Sequence, residues 1–243
     1  NINTEKTGKK IYTYDKFSDY YKPKRLIAQL KPLFDSAVLD ETVRNKILDS
    51  SSFKEVFQLV HQNAEYFNLI EFETGILPDD KDYSEKMEGI FRLPSNASFS
   101  AVFIDGAKSW FGTKYFMQHV LPKTNPGTYY IFQDYGAHTC FWIPVFVKLF
   151  SEYFNLTAYV DHTYTFMQTA PVPAALINER FPDTPNDFKK IDFDAIFREL
   201  SNFALETNNT YCLMNFQLQH AAALAYLGEI DEAKTKIVQL LDT

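Results

Sequence analysis

The chain has 243 residues, 46% of them hydrophobic and 16% aromatic, which is enough to bury one large core or a core with a small appendage and is far from the composition of a disordered chain. A net charge of -7, from 31 acidic against 24 basic residues, gives no positive field to attract a phosphate backbone, so nucleic acid is not expected as a partner. Two cysteines, Cys140 and Cys212, form neither a disulfide framework nor a metal-cluster spacing, and no apolar run approaches the roughly 18 residues of a membrane span. The expectation is a soluble, cytoplasmic protein with no membrane partner.

Residues 10–15 (KIYTYD) are rich in β-branched and aromatic side chains, end in an acid and read as a strand. From 24 to 66 the pattern is helical: Leu26, Ile27, Leu30 and Leu33 recur at helical spacing, and a second helix is expected over 52–66. Residues 68–73 (NLIEFE) form a second strand, stopped by Thr74-Gly75, after which Pro78-Asp79-Asp80 opens an acidic loop and a weak helix. A third strand at 100–105 (SAVFID) is followed by a helix at 110–121, and a fourth strand at 128–133 (TYYIFQ) is introduced by the turn signal Asn125-Pro126-Gly127. Residues 137–154 carry Phe141, Trp142, Val145, Phe146, Leu149 and Phe150 on one helical face, and further strands are expected at 156–160 and 164–169. Strands alternating with helices of this length call for right-handed crossovers, so the expected fold class is α/β, Rossmann-like, with a mostly parallel sheet and helices on both faces.

After Pro171-Val172-Pro173 the character changes to three helical patterns, at 192–207, 211–227 and 231–241, joined by Asn208-Asn209 and Gly228-Glu229. Residues 1–172 are therefore expected to form the α/β domain and 173–243 a helical appendage. Ala221, Ala222, Ala223 and Ala225 ahead of a Gly-Glu-Ile-Asp-Glu-Ala turn resemble one hairpin of a tetratricopeptide-type repeat. An array needs about three such hairpins, so ordinary helix packing stands as the alternative.

In an open parallel sheet, ligands bind beyond the carboxyl ends of the strands. Asp15, Asp105 and Asp134 all end strands, which directs three carboxylates toward one crevice. The strings KIYTYDKF, AVFIDGAKSW and GTYYIFQDYG, quoted from the chain, look like the second, fourth and fifth strands of a class I S-adenosylmethionine-dependent methyltransferase. The resemblance is nearest to the O-methyltransferases of sugars, macrolides and other small metabolites and covers residues 11–169. It implies that Asp15 receives the ribose hydroxyls of S-adenosylmethionine, since a carboxylate accepts hydrogen bonds from both hydroxyls of a diol. Gly75 and Asp105 are the further candidates for cofactor contact. Asp105 and Asp134 match acids that in metal-dependent relatives hold a divalent cation at the acceptor oxygen, for which Mg²⁺ suits an all-oxygen ligand set. One part of the pattern is absent: the eight glycines contain no G-x-G to match the family's glycine-rich turn after its first strand, so the domain is expected to be incomplete at its N-terminus.

Methyl transfer to a hydroxyl needs alignment and a group to take the hydroxyl proton. His138, four residues after Asp134, can face the same crevice, and an imidazole can act as a base near neutral pH. In related sugar and macrolide enzymes a histidine just after the corresponding acid is the base, so the resemblance implies His138 and Asp134 as the catalytic pair. A surface histidine near a helix start is the alternative for His138, and His162 is a second candidate base. Trp110, Phe111, Tyr135, Phe141 and Trp142 flank the acid-tipped loops and either wall an acceptor pocket or belong to the core. The expected function is S-adenosylmethionine-dependent O-methylation of a small metabolite or sugar. The alternative is a non-catalytic methyltransferase-like module of a larger multidomain parent. The expected partners are the small hydroxylated acceptor and, through the helical tail, further copies of the chain or that parent.

Overall fold

The computed structural model describes residues 10–15, 22–50, 53–62, 64–84 and 87–241. Ser52, expected to open a helix, lies outside the described residues. The chain divides into two compact units, Asn1–Ile76 with Gly89–Phe91, and Leu77–Glu88 with Arg92–Thr243.

In the first unit, β1 (Ile11–Asp15) pairs in parallel with β2 (Ile70–Thr74), Ile11 lying opposite Ile70 and Asp15 opposite Thr74. The helical stretch between them is broken into α1 (Pro23–Gln29), α2 (Lys31–Asp35), α3 (Glu41–Asp49) and α4 (Phe53–His61). The breaks have local causes. Pro32 stands in the first turn of α2, where its missing N–H costs nothing. Ala37 then adopts φ 57° and ends that helix, with the Val38 N–H returning to the Leu33 carbonyl at 3.0 Å. Asp40 starts α3 by accepting from the Val43 N–H at 2.9 Å.

The second unit runs α5 (Lys81–Ser84), β3 (Phe99–Ile104), α6 (Trp110–Val120), β4 (Thr124–Phe132), α7 (Trp142–Leu149), β5 (Phe154–Val160), β6 (Thr163–Gln168), α8 (Ala174–Arg180), α9 (Lys190–Glu206), α10 (Thr210–Tyr226) and α11 (Ile230–Leu241). Its strands lie in the order β3-β4-β6-β5. The fold is α/β, but the sheet is mixed rather than mostly parallel: β3 is parallel to β4, and β6 is antiparallel to both β4 and β5. The reason is connection length. Only Asp161 and His162 separate β5 from β6, far too few residues for a crossover, and Asp161 turns the chain at φ 50°. Val102, Ile104, Tyr130, Phe132, Tyr164 and Phe166 alternate onto a buried face, while Phe103 and Tyr129 on the opposite face are 61% and 44% exposed, so helices do not cover both faces of the sheet at β3 and β4.

The boundary expected near residue 172 does not separate compact units, because the C-terminal helices pack with the sheet. Trp110 stacks on Phe181 at 4.1 Å and donates its indole N–H to the Pro182 carbonyl at 2.8 Å, and Arg180 donates to the Leu149 carbonyl at 3.1 Å. The two tail turns form as their residues dictate. Asn208 (φ 53°) and Gly228 (φ 84°) end α9 and α10 in the left-handed conformation, and the next N–H in each case, of Asn209 or Glu229, reaches back to the carbonyl of Ala204 or Leu224. Ala221, Leu224 and Ala233 fill the α10–α11 contact.

Two buried ionisable groups set how this unit responds to change. Lys114, on α6, has a side chain only 4% exposed and pairs with Asp183 at 2.6 Å, and Lys81 reaches the other carboxylate oxygen at 3.0 Å. The Lys114 ammonium holds the Asp183 carboxyl below its ordinary range. Asp183→Asn would leave a buried ammonium without its carboxylate, and a cost of about 3–5 kcal/mol in urea unfolding is expected. His220 is buried, stacks on Phe197 at 5.1 Å and meets Asp194 through Nε2 at 2.8 Å. Burial lowers its pKa despite that carboxylate. Its contribution is therefore complete above the unfolded value of about 6.5 and is lost as pH falls through that value toward the folded one. Urea midpoints measured between pH 7.5 and 5 should fall for the wild type, and fall less for His220→Gln.

Candidate functional site

The candidate residues fall in both units: Asp15 and Gly75 in the first, and Asp105, Asp134 and His138 in the second. Asp15 is exposed at the carboxyl end of β1, and its backbone carbonyl accepts from the Gly75 N–H at 3.1 Å. Gly75 follows β2 in ordinary backbone conformation. A Cβ there would stand 2.9 Å from Tyr14 Cδ1 and 3.1 Å from Phe91 Cδ2, so Gly75 is small because two rings pack against it.

In the second unit, Ile104 pairs with Phe132 and the Gln133 N–H donates to the Ile104 carbonyl at 3.1 Å, so β3 and β4 stop level. Asp105 and Asp134 follow these ends. The structure brings them together on a residue that sequence reasoning passed over: Lys108 Nζ donates to Asp105 Oδ1 at 2.9 Å and also to Asp134 Oδ2. Asp105 and Lys108 are about half exposed, whereas the Asp134 side chain is 16% exposed. Lys108 sits in the quoted string AVFIDGAKSW, yet its second partner lies 26 residues onward and becomes a neighbour only through the strand pairing.

The loop after β4 is anchored on several sides. The indole N–H of Trp142 donates to the Ala107 carbonyl at 2.8 Å, joining this loop to the one after β3. Gln219 of α10 donates to the carbonyls of Tyr135 at 3.1 Å and Ala137 at 2.6 Å. The Thr163 hydroxyl donates to the Gln133 carbonyl at 3.2 Å, and the Gly136 N–H donates to the His162 carbonyl at 2.9 Å, so the β5–β6 turn lies at the same end of the sheet. Gly136 is closely packed here, since a Cβ would stand 3.1 Å from both His162 Cα and Cys212 Sγ. Within this framework Tyr135 is buried and stacks on Tyr164 at 4.5 Å, and burial raises its phenol pKa strongly. His138 is exposed in the same loop.

Other candidates resolve plainly. Trp110, Phe111, Tyr135, Phe141 and Trp142 are all buried and belong to the core instead of walling a pocket. The His162 Nδ1 is buried without a hydrogen-bond partner. Cys140 and Cys212 are free thiols, both buried. One surface groove of the first unit is lined by Lys46, Asp49, Glu55, Gln58 and Phe67, and one of the second by Asp194, Arg198, Gln217 and His220, so neither coincides with the acid-tipped loops.

The acids do not fit a resident divalent cation. Their two carboxylates already share the Lys108 ammonium, which stands where a cation held by both would stand. Among the described residues no group of three or more His, Cys, Asp or Glu side chains could hold a metal ion, and no helix is long and apolar enough to cross a membrane. No protein-family model, curated protein or solved structure matches the chain.

The packing around Gly75 gives a direct expectation. Gly75→Ala should cost about 1–3 kcal/mol through overpacking against Tyr14 and Phe91, measured by urea unfolding without ligand. An unchanged midpoint would release the position from that packing role.

Proposed function

We propose that the chain is an S-adenosylmethionine-dependent O-methyltransferase, in whole or in part, acting on a hydroxyl of a small metabolite or sugar. The observation that carries this reading is the level ending of the parallel pair β3–β4, which sets Asp105, Asp134 and the loop bearing His138 at one end of the sheet. The reading also takes the fold to be Rossmann-like, because β1–β2 and β3–β4 are each parallel pairs connected through helices. When bound, S-adenosylmethionine would supply an electrophilic methyl group. Asp15, exposed at its strand end, would accept hydrogen bonds from the ribose hydroxyls. His138, exposed on an anchored loop, would take the proton of the incoming hydroxyl at a ring nitrogen, with Asp134 close behind it in the chain. Two free, buried thiols accord with a cytoplasmic setting.

The second reading, a non-catalytic module whose tail mediates association, draws on Val238 and Leu241, which leave α11 56% and 81% exposed. One experiment separates the two. Calorimetry with S-adenosylmethionine should show binding that Asp15→Ala weakens by about 1–3 kcal/mol, the loss of charge-assisted hydrogen bonds. Against an accepted hydroxylated substrate, His138→Ala should lower kcat on the order of 10² to 10⁴-fold while cofactor affinity holds. A chain that neither binds the cofactor nor methylates any hydroxyl supports the module. Wild-type kcat in His138→Ala across pH 6 to 9 would remove that residue from the mechanism.

A further inference from the structure

We infer that Lys108 is the resident cation of the Asp105–Asp134 pair, a positioning residue whose ammonium holds the two carboxylates together in the role a bound divalent ion would otherwise fill. The β3–β4 pairing brings the two acids to one end of the sheet, where both meet Lys108, and Asp134, at 16% exposed, has lost most of the water that would solvate its charge. A desolvated carboxylate next to a second one needs a compensating cation. Lys108 hydrogen-bonds to both, and its backbone is fixed for the purpose. The Lys108 N–H donates to the Gly106 carbonyl at 2.9 Å, Ser109 immediately after it caps α6 by accepting from Gly112 at 3.0 Å, and Ala107 just before it is held by Trp142.

An ammonium has three N–H donors, and the two carboxylates take two. The third is directed at neither acid and is open to an oxygen of a bound molecule. Only this last point rests on the proposed methyl transfer, where that oxygen would belong to the acceptor. The cation role stands on the acid pair alone.

The test uses the full chain without cofactor. In a urea-unfolding cycle of Lys108→Met and Asp134→Asn, the loss caused by Lys108→Met should shrink by roughly half or more in the Asp134→Asn background, and Lys108→Arg should behave as wild type. Mn²⁺ followed by electron paramagnetic resonance should find no Asp134-dependent site in the wild type. Additive losses in the cycle would overturn the inference. So would Mn²⁺ bound by the wild type and released by Asp134→Asn. Neither readout involves turnover, so a chain that fails to methylate leaves the inference standing. An active chain silenced by chelator and restored by Mg²⁺ would sink the inference while leaving the methyltransferase reading intact.

Discussion

Two parallel strands that end at the same level confront the chain with a charge problem. With Ile104 opposite Phe132, and the Gln133 N–H closing the ladder on Ile104, the segments that follow the strands emerge at the same end of the sheet. They carry a pair of carboxylates, one of them mostly withdrawn from water. Like charges at such spacing repel by about 1 kcal/mol in bulk water and by several times that where the effective dielectric is lower. Lys108 offsets this from within the same loop, and it can do so only because the chain turns tightly at Gly106 before α6 begins. Sheet register, loop shape and helix start are thus conditions on one another: β3 positions the first acid, the crossover through α6 positions β4 and the second, and the residue that begins the crossover neutralises both.

The aromatic content of the chain serves rigidity at this end of the sheet. Tyr135 stacks on Tyr164, meets Phe216 edge-on at 6.2 Å, and its own backbone carbonyl accepts from Gln219. Each such ring contributes roughly 1.5–3 kcal/mol of burial, and Phe203 of α9 and Phe216 of α10 pack against Tyr164 as part of the surface that buries it. This explains why the tail is not a separable appendage. Trp110 at the start of α6 is fixed by Phe181 and Pro182, so the crossover that follows Lys108 leans on residues well beyond the sheet. His138 is exposed on the loop after β4, whose backbone is held by Gln219 and by the β5–β6 turn.

How much of this could be read from residue order depends on how local its cause is. The strands at β1, β2 and β3, the helix from Trp110 and the Asn208 and Gly228 turns follow from signals within a few residues and were legible, whereas β4 starts at Thr124 and takes in the Asn125-Pro126-Gly127 turn signal as an irregularity of its pairing with β3. The long helical face expected over 137–154 shrinks to Trp142–Leu149 because the apolar run does not stop where the helix does, and Phe154 already opens β5. The direction of β6 was also within reach. A two-residue link forces antiparallel pairing, but Asp161-His162 lacks the glycine that usually announces such a turn, and Asp161 takes the left-handed conformation itself. What could not be read is the insertion of β6 between β4 and β5, since the sequence does not say which neighbour a hairpin strand prefers.

Convergence of Asp105 and Asp134 was legible for the same local reason, because each lies within two residues of a strand end. The ammonium between them was not, and the difference is physical. A strand-ending acid is recognised by what precedes it in the chain, whereas a lysine's partner is set by a long, rotatable stem that reaches several carboxylates with similar energy until the backbone is fixed. In isolation Lys108 reads as a solvated charge three residues from an acid, a pair of small energetic consequence. It changes character when the pairing with β4 delivers a second, poorly hydrated carboxylate to the same nitrogen. The type of cation then decides the chemistry. A metal ion would present open coordination positions to an acceptor oxygen, while an ammonium presents one remaining N–H, which can hold and orient that oxygen without polarising it strongly. In the proposed methyl transfer, a site organised in this way would leave proton removal to a separate base, the part proposed for His138.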